Sequence, residues 1–216
     1  MCDTGILIDH YCYQPKLLSW EMFETLFDHI ERKVLLTQQE KVLMESFFLS
    51  KKLHRKEVLL LQSEHCKHLA FVVKGLLKTY NLDDKGNEHI NLFAWEGWWA
   101  SDMLSFFTGK PANFNIDAIE DTDILMISLA NYNSLLEKIP AMERYFRILY
   151  QNSLLTKDIR LMSASTHTAE EKYLALAHSH PDLIQRVPQN LIASYLGLAP
   201  ETISRIKRKI KRNPAQ

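Results

Sequence analysis

The chain has 216 residues, 46% apolar and 24% charged, which are ordinary proportions for a globular protein able to bury a sizeable core. No run approaches the ~20 continuous apolar residues of a membrane span, and no basic segment leads into an apolar one as a secretory signal would, so the expected location is cytoplasmic. Net charge is zero but uneven: residues 1–165 carry 18 Lys+Arg against 22 Asp+Glu and residues 166–216 carry 8 against 4, which fits either a polyanion read by one end of the molecule or a solvated helix face.

Residues 1–21 show little periodicity and read as an N-terminal extension, or as residues upstream of a start at Met22. Phe23, Leu26, Phe27 and Ile30 then recur at helical spacing. Thr37 with Glu40 forms a capping box that opens a helix to about Phe48. From Lys56 the pattern turns to short β-rich runs: 58–61, 69–73, 76–80 and 90–93, separated by Lys74-Gly75, 83–87 and Glu96-Gly97. Residues 114–119 and 123–129 add two more runs, and the whole predicts antiparallel hairpins in a sandwich or barrel. Helical character returns with a short helix over 131–138 and a long one from Ala141 to about Ser163. The long helix carries Met142, Phe146, Leu149, Leu154, Leu155, Ile159 and Met162 at broadly helical spacing. It is the candidate dimer interface, through Phe146, Leu149, Leu155, Ile159 and Met162, or else a core helix of its own chain. Ser163 to Thr168 reads as a hinge, 169–178 as a helix, and His180-Pro181-Asp182 as its break.

The segment from Gln189 to Arg208 has the pattern of a helix-turn-helix. Ile192 and Leu196 are apolar, Ala193 is small where two helices approach, and Gly197 stands where a positive φ is needed. Leu198 plugs the turn, and Ile203 and Ile206 pack the second helix back on the first. Pro200 suits the first helical position. Of the outward residues, Arg205 matches a bidentate contact to guanine, Glu201 an acceptor for cytosine, and Ser204 either base. Thr202, Gln189, Asn190, Lys207, Arg208, Lys209 and Arg212 are candidate phosphate contacts. Glu201 and Arg205 also make a possible i,i+4 pair, which is compatible with base reading.

This layout resembles the Crp/Fnr family of bacterial regulators over roughly residues 22–212. The most specific stretch, Leu196 to Ile206, is similar to that family's G-x-S-x-E-T-x-S-R-x recognition segment, with the family's Glu and Arg readers falling on Glu201 and Arg205. A third reading arginine found in many members is Pro200 here, which predicts a different half-site. The resemblance implies an α+β chain. Its parts are a cyclic-nucleotide-binding-like antiparallel β-roll (22–140), a dimerisation helix with hinge (141–165) and a winged helix-turn-helix domain with a reduced wing (166–216). It also implies a homodimer on double-stranded DNA, with RNA polymerase as a further partner. Phe71 to Gly75 followed by Leu76 to Tyr80 resembles the family's hairpin signature.

The family's nucleotide-binding members hold the ribose with a Glu and the cyclic phosphate with an Arg. The corresponding segment here, about Gly97 to Asn115, contains neither, so cyclic AMP is not expected as a cofactor. Trp95, Trp98, Trp99, Phe106, Phe107 and Phe114 offer either a pocket for an apolar or aromatic ligand or simply the filling of the roll. An iron–sulfur sensor needs four cysteines; the chain has Cys2, Cys12 and Cys66, and no metal is expected. His65-Cys66-Lys67-His68 holds metal-ligating and redox-active residue types in a predicted loop, where they are also ordinary polar groups. No enzyme is expected, since no nucleophile set, phosphate loop or metal dyad stands out. The rival reading is a protein–protein adaptor or ligand-binding protein with a non-specific basic tail.

Overall fold

The computed structural model describes residues 20–212. The N-terminal extension, with Cys2 and Cys12, lies outside the described residues up to residue 19. Among the described residues two helices precede the sheets: α1 (Trp20–Glu31) and α2 (Gln38–Glu45). Phe23, Leu26, Phe27 and Ile30 of α1 are all at most 3% exposed, so the helical stripe read in the sequence is the face that packs on the roll. The Thr37–Glu40 box is present, with Glu40 N–H donating to Thr37 Oγ1 at 3.2 Å and Thr37 N–H to Glu40 Oε2 at 2.7 Å. The second helix ends at Glu45, before the expected Phe48, because Phe47 and Phe48 turn inward to the core.

Eight strands follow: β1 (Leu49–Leu53), β2 (Val58–Leu60), β3 (His68–Lys74), β4 (Leu77–Leu82), β5 (Glu88–Ala94), β6 (Trp99–Ala100), β7 (Asn115–Ala118) and β8 (Thr122–Ser128). They form two four-stranded antiparallel sheets, ordered β1-β8-β3-β6 and β2-β7-β4-β5. Leu69 and Phe71 of one sheet and Leu60, Leu77 and Ile116 of the other meet in the core of this roll. Three short elements escape the sequence reading. Strand β1 shows only Leu53 to the core, β6 is two residues long, and α3 (Met103–Thr108) is a single turn and a half capped by Asp102. Each is too brief to carry a period.

Then come α4 (Leu129–Lys138), α5 (Ala141–Thr166), α6 (Ala169–Ser179), α7 (Pro181–Arg186), α8 (Gln189–Leu196) and α9 (Pro200–Arg212). The proposed hinge narrows to two residues. The small polar run 163–166 is helical, with the Ser165 and Thr166 hydroxyls bonded back to the Met162 carbonyl rather than competing for backbone groups outside the helix. The chain opens only at His167 and Thr168, and Thr168 caps α6 with Glu171. Helix α7 occupies the segment expected to be only a break, starting on Pro181, which needs no N–H there. Among the described residues no strand follows β8, and no helix is long and apolar enough to cross a membrane.

Strand β4 is buried on both faces. Leu77 points into the roll, while Leu76, just before the strand, and Tyr80 meet Ile90 and Phe93 of β5 on the outer face, beneath Leu176, Leu183, Val187 and Ile192 of α6–α8. At roughly 1.5–3 kcal/mol per fully buried large apolar side chain, this second layer is a structural contact between the helical end and the roll.

The turn between β3 and β4 depends on Gly75. Its φ is 103°, and a Cβ there would lie 2.5 Å from Thr122 Oγ1 and 2.6 Å from the Asp121 carbonyl. Gly75→Ala is expected to cost at least about 1–3 kcal/mol from the backbone conformation alone, read as a lower urea midpoint at unchanged slope.

Candidate nucleic-acid interface and sensor region

Helix α8 ends at Gly197, whose φ of 67° lets the Gly197 and Leu198 N–H groups bond back to Ser194 and Ala193. The turn then delivers Pro200 as the first residue of α9. Ala193, Ile203 and Ile206, all at most 5% exposed, pack with Tyr173 of α6 in a small core. The apolar positions of α9 are therefore consumed inward, and Glu201, Arg205 and Arg208 are exposed on its other side. Asn190 is exposed at the start of α8, and Thr202 and Lys207 are half-buried.

Two proposed contacts are engaged within the motif itself. Gln189 Nε2 donates to Ser204 Oγ at 2.6 Å and to the Pro200 carbonyl at 3.2 Å, and Ser204 Oγ donates to the same carbonyl. These bonds pin the start of α8 to the first turn of α9, and they compete with any contact Ser204 or Gln189 makes to DNA. Lys209 is paired with Glu170 of α6 at 2.7 Å; the Arg212 side chain lies outside the described residues.

The family model of the cyclic nucleotide-binding domain matches residues 50–139, the roll and α4. The chain is 25% identical over 172 residues to the transcriptional activator protein Anr of Pseudomonas aeruginosa, covering 74% of this chain and 70% of that one. It is 26% identical over 155 residues to the nitrogen fixation regulation protein FixK of Bradyrhizobium diazoefficiens, covering 67% and 64%. These matches support a regulator of the Crp/Fnr family. The fold agrees: the solved structure of FixK2 from Bradyrhizobium japonicum superposes with a TM-score of 0.64 at 17% identity, covering 77% of this chain and 86% of that one.

The roll of this chain does not fit a cyclic nucleotide in the manner of the family's nucleotide-binding members. In the segment from Gly97 to Asn115, helix α3 could offer its N-terminal N–H groups to an anion. One of them, Ser105 N–H, is already taken by the Asp102 carboxylate, 1% exposed, at 3.0 Å, and that carboxylate also accepts from Asn113 N–H, beyond the helix, at 2.7 Å. A buried carboxylate there repels a phosphate, and Lys110, the segment's one cationic residue, is exposed.

The six aromatics named from the sequence do not gather around one cavity, and that part of the pocket expectation is corrected. Trp95 packs on Trp98, ring centroids 4.3 Å apart, and on His180 at the α6–α7 junction, at 4.7 Å. Trp99 enters the core against Phe71 and Phe146, and its Nε1–H donates to Tyr145 Oη at 2.8 Å. Phe106 and Phe107 pack on each other and on Tyr132 of α4. Phe114 is half-buried just before β7. None of the six lines the groove of about 570 Å³ beside α4 and α5, or the cavity of about 200 Å³ between the sheets that His65, Cys66 and His68 border. Trp95 with Trp98, Trp99 with Phe71 and Phe146, and Phe106 with Phe107 thus sit in separate places, and the six share no common cavity.

The Cys66 segment is structural in its contacts. The Cys66 N–H donates to Ser105 Oγ at 2.9 Å, its Sγ lies 3.3 Å from Ser101 Oγ, and His65 Nδ1 lies 2.8 Å from the Gly109 carbonyl. Among the described residues no group of three or more His, Cys, Asp or Glu is arranged to hold a metal.

Helix α5 divides into two halves. Met142, Tyr145 and Phe146 are at most 2% exposed and belong to the core of their own roll, so Phe146 is removed from the candidate dimer interface. Leu149 is half-buried against the same core. Beyond it Leu154, Leu155, Ile159, Leu161 and Met162 are between 60% and 75% exposed.

Two groups with long-range partners were invisible in the sequence. Arg186 of α7 reaches across to Glu96 and Glu120 of the roll; an isolated arginine near a predicted break carries no signal for this. His29 of α1 sits with Nδ1 2.8 Å from Tyr145 Oη and Nε2 3.2 Å from Lys33 Nζ. Lys33 as donor assigns the ring proton to Nδ1. Burial, reinforced by Lys33 and Arg32, lowers the His29 pKa to about 4. The unfolded chain therefore takes up this proton first. Stability is fully present above about pH 6.5 and falls as pH drops toward 4. His68 and His180, also lowered by burial, add the same sign. His29→Gln is expected to flatten part of the fall in melting temperature between those pH values.

Proposed function

We propose that this Crp/Fnr regulator is a cytoplasmic homodimer that binds double-stranded DNA sequence-specifically through α9. Its sensor part (22–140), dimerisation helix (141–165) and DNA-binding part (166–216) do not use cyclic AMP in the manner of the family's nucleotide-binding members. The observation that carries this reading is the two-sided α9: Ile203 and Ile206 are spent on packing, while Glu201, Arg205 and Arg208 face outward with no competing core role. Arg205 then suits guanine and Glu201 cytosine, and Asn190, Lys207 and Arg208 suit the flanking phosphates. RNA polymerase is the further partner that family membership favours.

The dimer seam in this reading is the second half of α5. A stripe of five large apolar residues left to water on one helix calls for a partner, and pairing two such helices sets two recognition helices about one DNA turn (~34 Å) apart.

Selection of duplexes from a random pool should return a near-palindromic site. Arg205→Ala should weaken binding to it by about 1–3 kcal/mol and relax the preference at one base pair per half-site; unchanged preference would remove Arg205 as a reader. Ile159→Asp should yield a folded monomer by sedimentation, with DNA affinity lost in parallel. Retention of the dimer would place the seam elsewhere.

A further inference from the structure

The helix-turn-helix is fastened to the roll of its own chain by polar contacts as well as by the apolar layer. Strand β5 is an edge of its sheet, so part of its backbone has no strand partner. Ser194 of α8 fills that role, accepting from Ile90 N–H at 3.0 Å and donating to the Glu88 carbonyl at 2.6 Å. Arg160 of α5 donates to the Asn91 carbonyl at 2.7 Å and lies 4.2 Å from the centre of the Tyr195 ring, which itself packs on Phe93. Arg186 closes the arrangement. Its two terminal nitrogens meet the two Glu96 oxygens at 2.9 and 3.0 Å, and one of them also meets Glu120 at 2.6 Å. Glu96 is held in turn by the Gly75 N–H at 2.8 Å, the same β3–β4 turn that tolerates only glycine.

The docked surface of α8 includes Leu191, Ile192, Ser194 and Tyr195, which lie on one side of the helix. That face is separate from the exposed Asn190 and from Glu201, Arg205 and Arg208. Docking therefore covers none of the exposed residues offered to DNA. A brake that worked by occlusion would have to cover them.

We infer that Arg186, gripped by Glu96 and Glu120, is a positioning residue for DNA binding: it holds the helix-turn-helix against β5 in the orientation that presents α9 to DNA. The inference rests on the DNA-reading function proposed above. If the docked form is the competent one, apparent affinity scales with its population. A loss of the latch that lowers that population to a tenth weakens DNA binding about tenfold without altering which bases are preferred.

The test uses the full-length protein, the duplex selected by the wild type, and two variants, Arg186→Ala and Arg186→Lys. Arg186→Ala should bind that duplex about tenfold more weakly with the same base preferences, and its Ile90 amide should exchange with solvent faster. Arg186→Lys keeps the charge without the planar fork and should fall between, which guards against a failure of Arg186→Ala to fold. Tighter DNA binding by Arg186→Ala would make the contact a brake and overturn the inference. Unchanged affinity, or unchanged Ile90 exchange, would also overturn it. Failure of the DNA-reading function itself shows differently, as a wild type without sequence preference, and the exchange rate still reports whether Arg186 holds the two parts together.

Discussion

The structure depends on a sheet that is apolar on both sides. Leu77 and Ile116 must face into the roll, and Leu76, Tyr80, Ile90 and Phe93 leave an equally apolar outer face around β4 and β5. Such a face left in water would cost several kcal/mol at roughly 25 cal/mol per Å². The helices α6–α8 remove that cost by lying on it. The position of the C-terminal helices relative to the roll is thus set by burial first. The polar contacts of Ser194, Arg160 and Arg186 then select the register within it, because each must find one particular partner on β5 or its flanking turns.

That division of labour explains the state of the roll itself. Trp99 and Phe71 of the roll pack against Phe146, and Phe146 against Tyr145, where α5 meets the roll. The anion-attracting end of α3 is neutralised by Asp102. The scaffold shared with cyclic nucleotide-binding domains here serves as a platform on both faces.

Helix α5 links the two ends and changes character along its length. Its first two turns are core, its later turns expose Leu155, Ile159 and Met162, and Arg160 among them turns back to β5 and Tyr195. One helix therefore touches the roll, the helix-turn-helix and the surface proposed for the second subunit. A shift along its axis would be felt at all three.

By itself the sequence determined what short-range periodicity and local chemistry can encode. The Thr37–Glu40 box, the Phe23 to Ile30 stripe, the main strand runs and the Gly197 turn with Ile203 and Ile206 were all legible, because each is governed by residues within a few positions of one another. Glu201 and Arg205 were legible as outward residues for the same reason. Tertiary structure alone decided where distant groups meet. It sent Phe146 to the core rather than to a partner, scattered the six aromatics instead of gathering them, turned Ser204 and Gln189 toward each other, and brought Arg186 to carboxylates 90 and 66 positions away. Local pattern states which face of an element is apolar. Which neighbour covers that face is settled by packing the whole chain, and a single sequence does not contain that information in any window short enough to read.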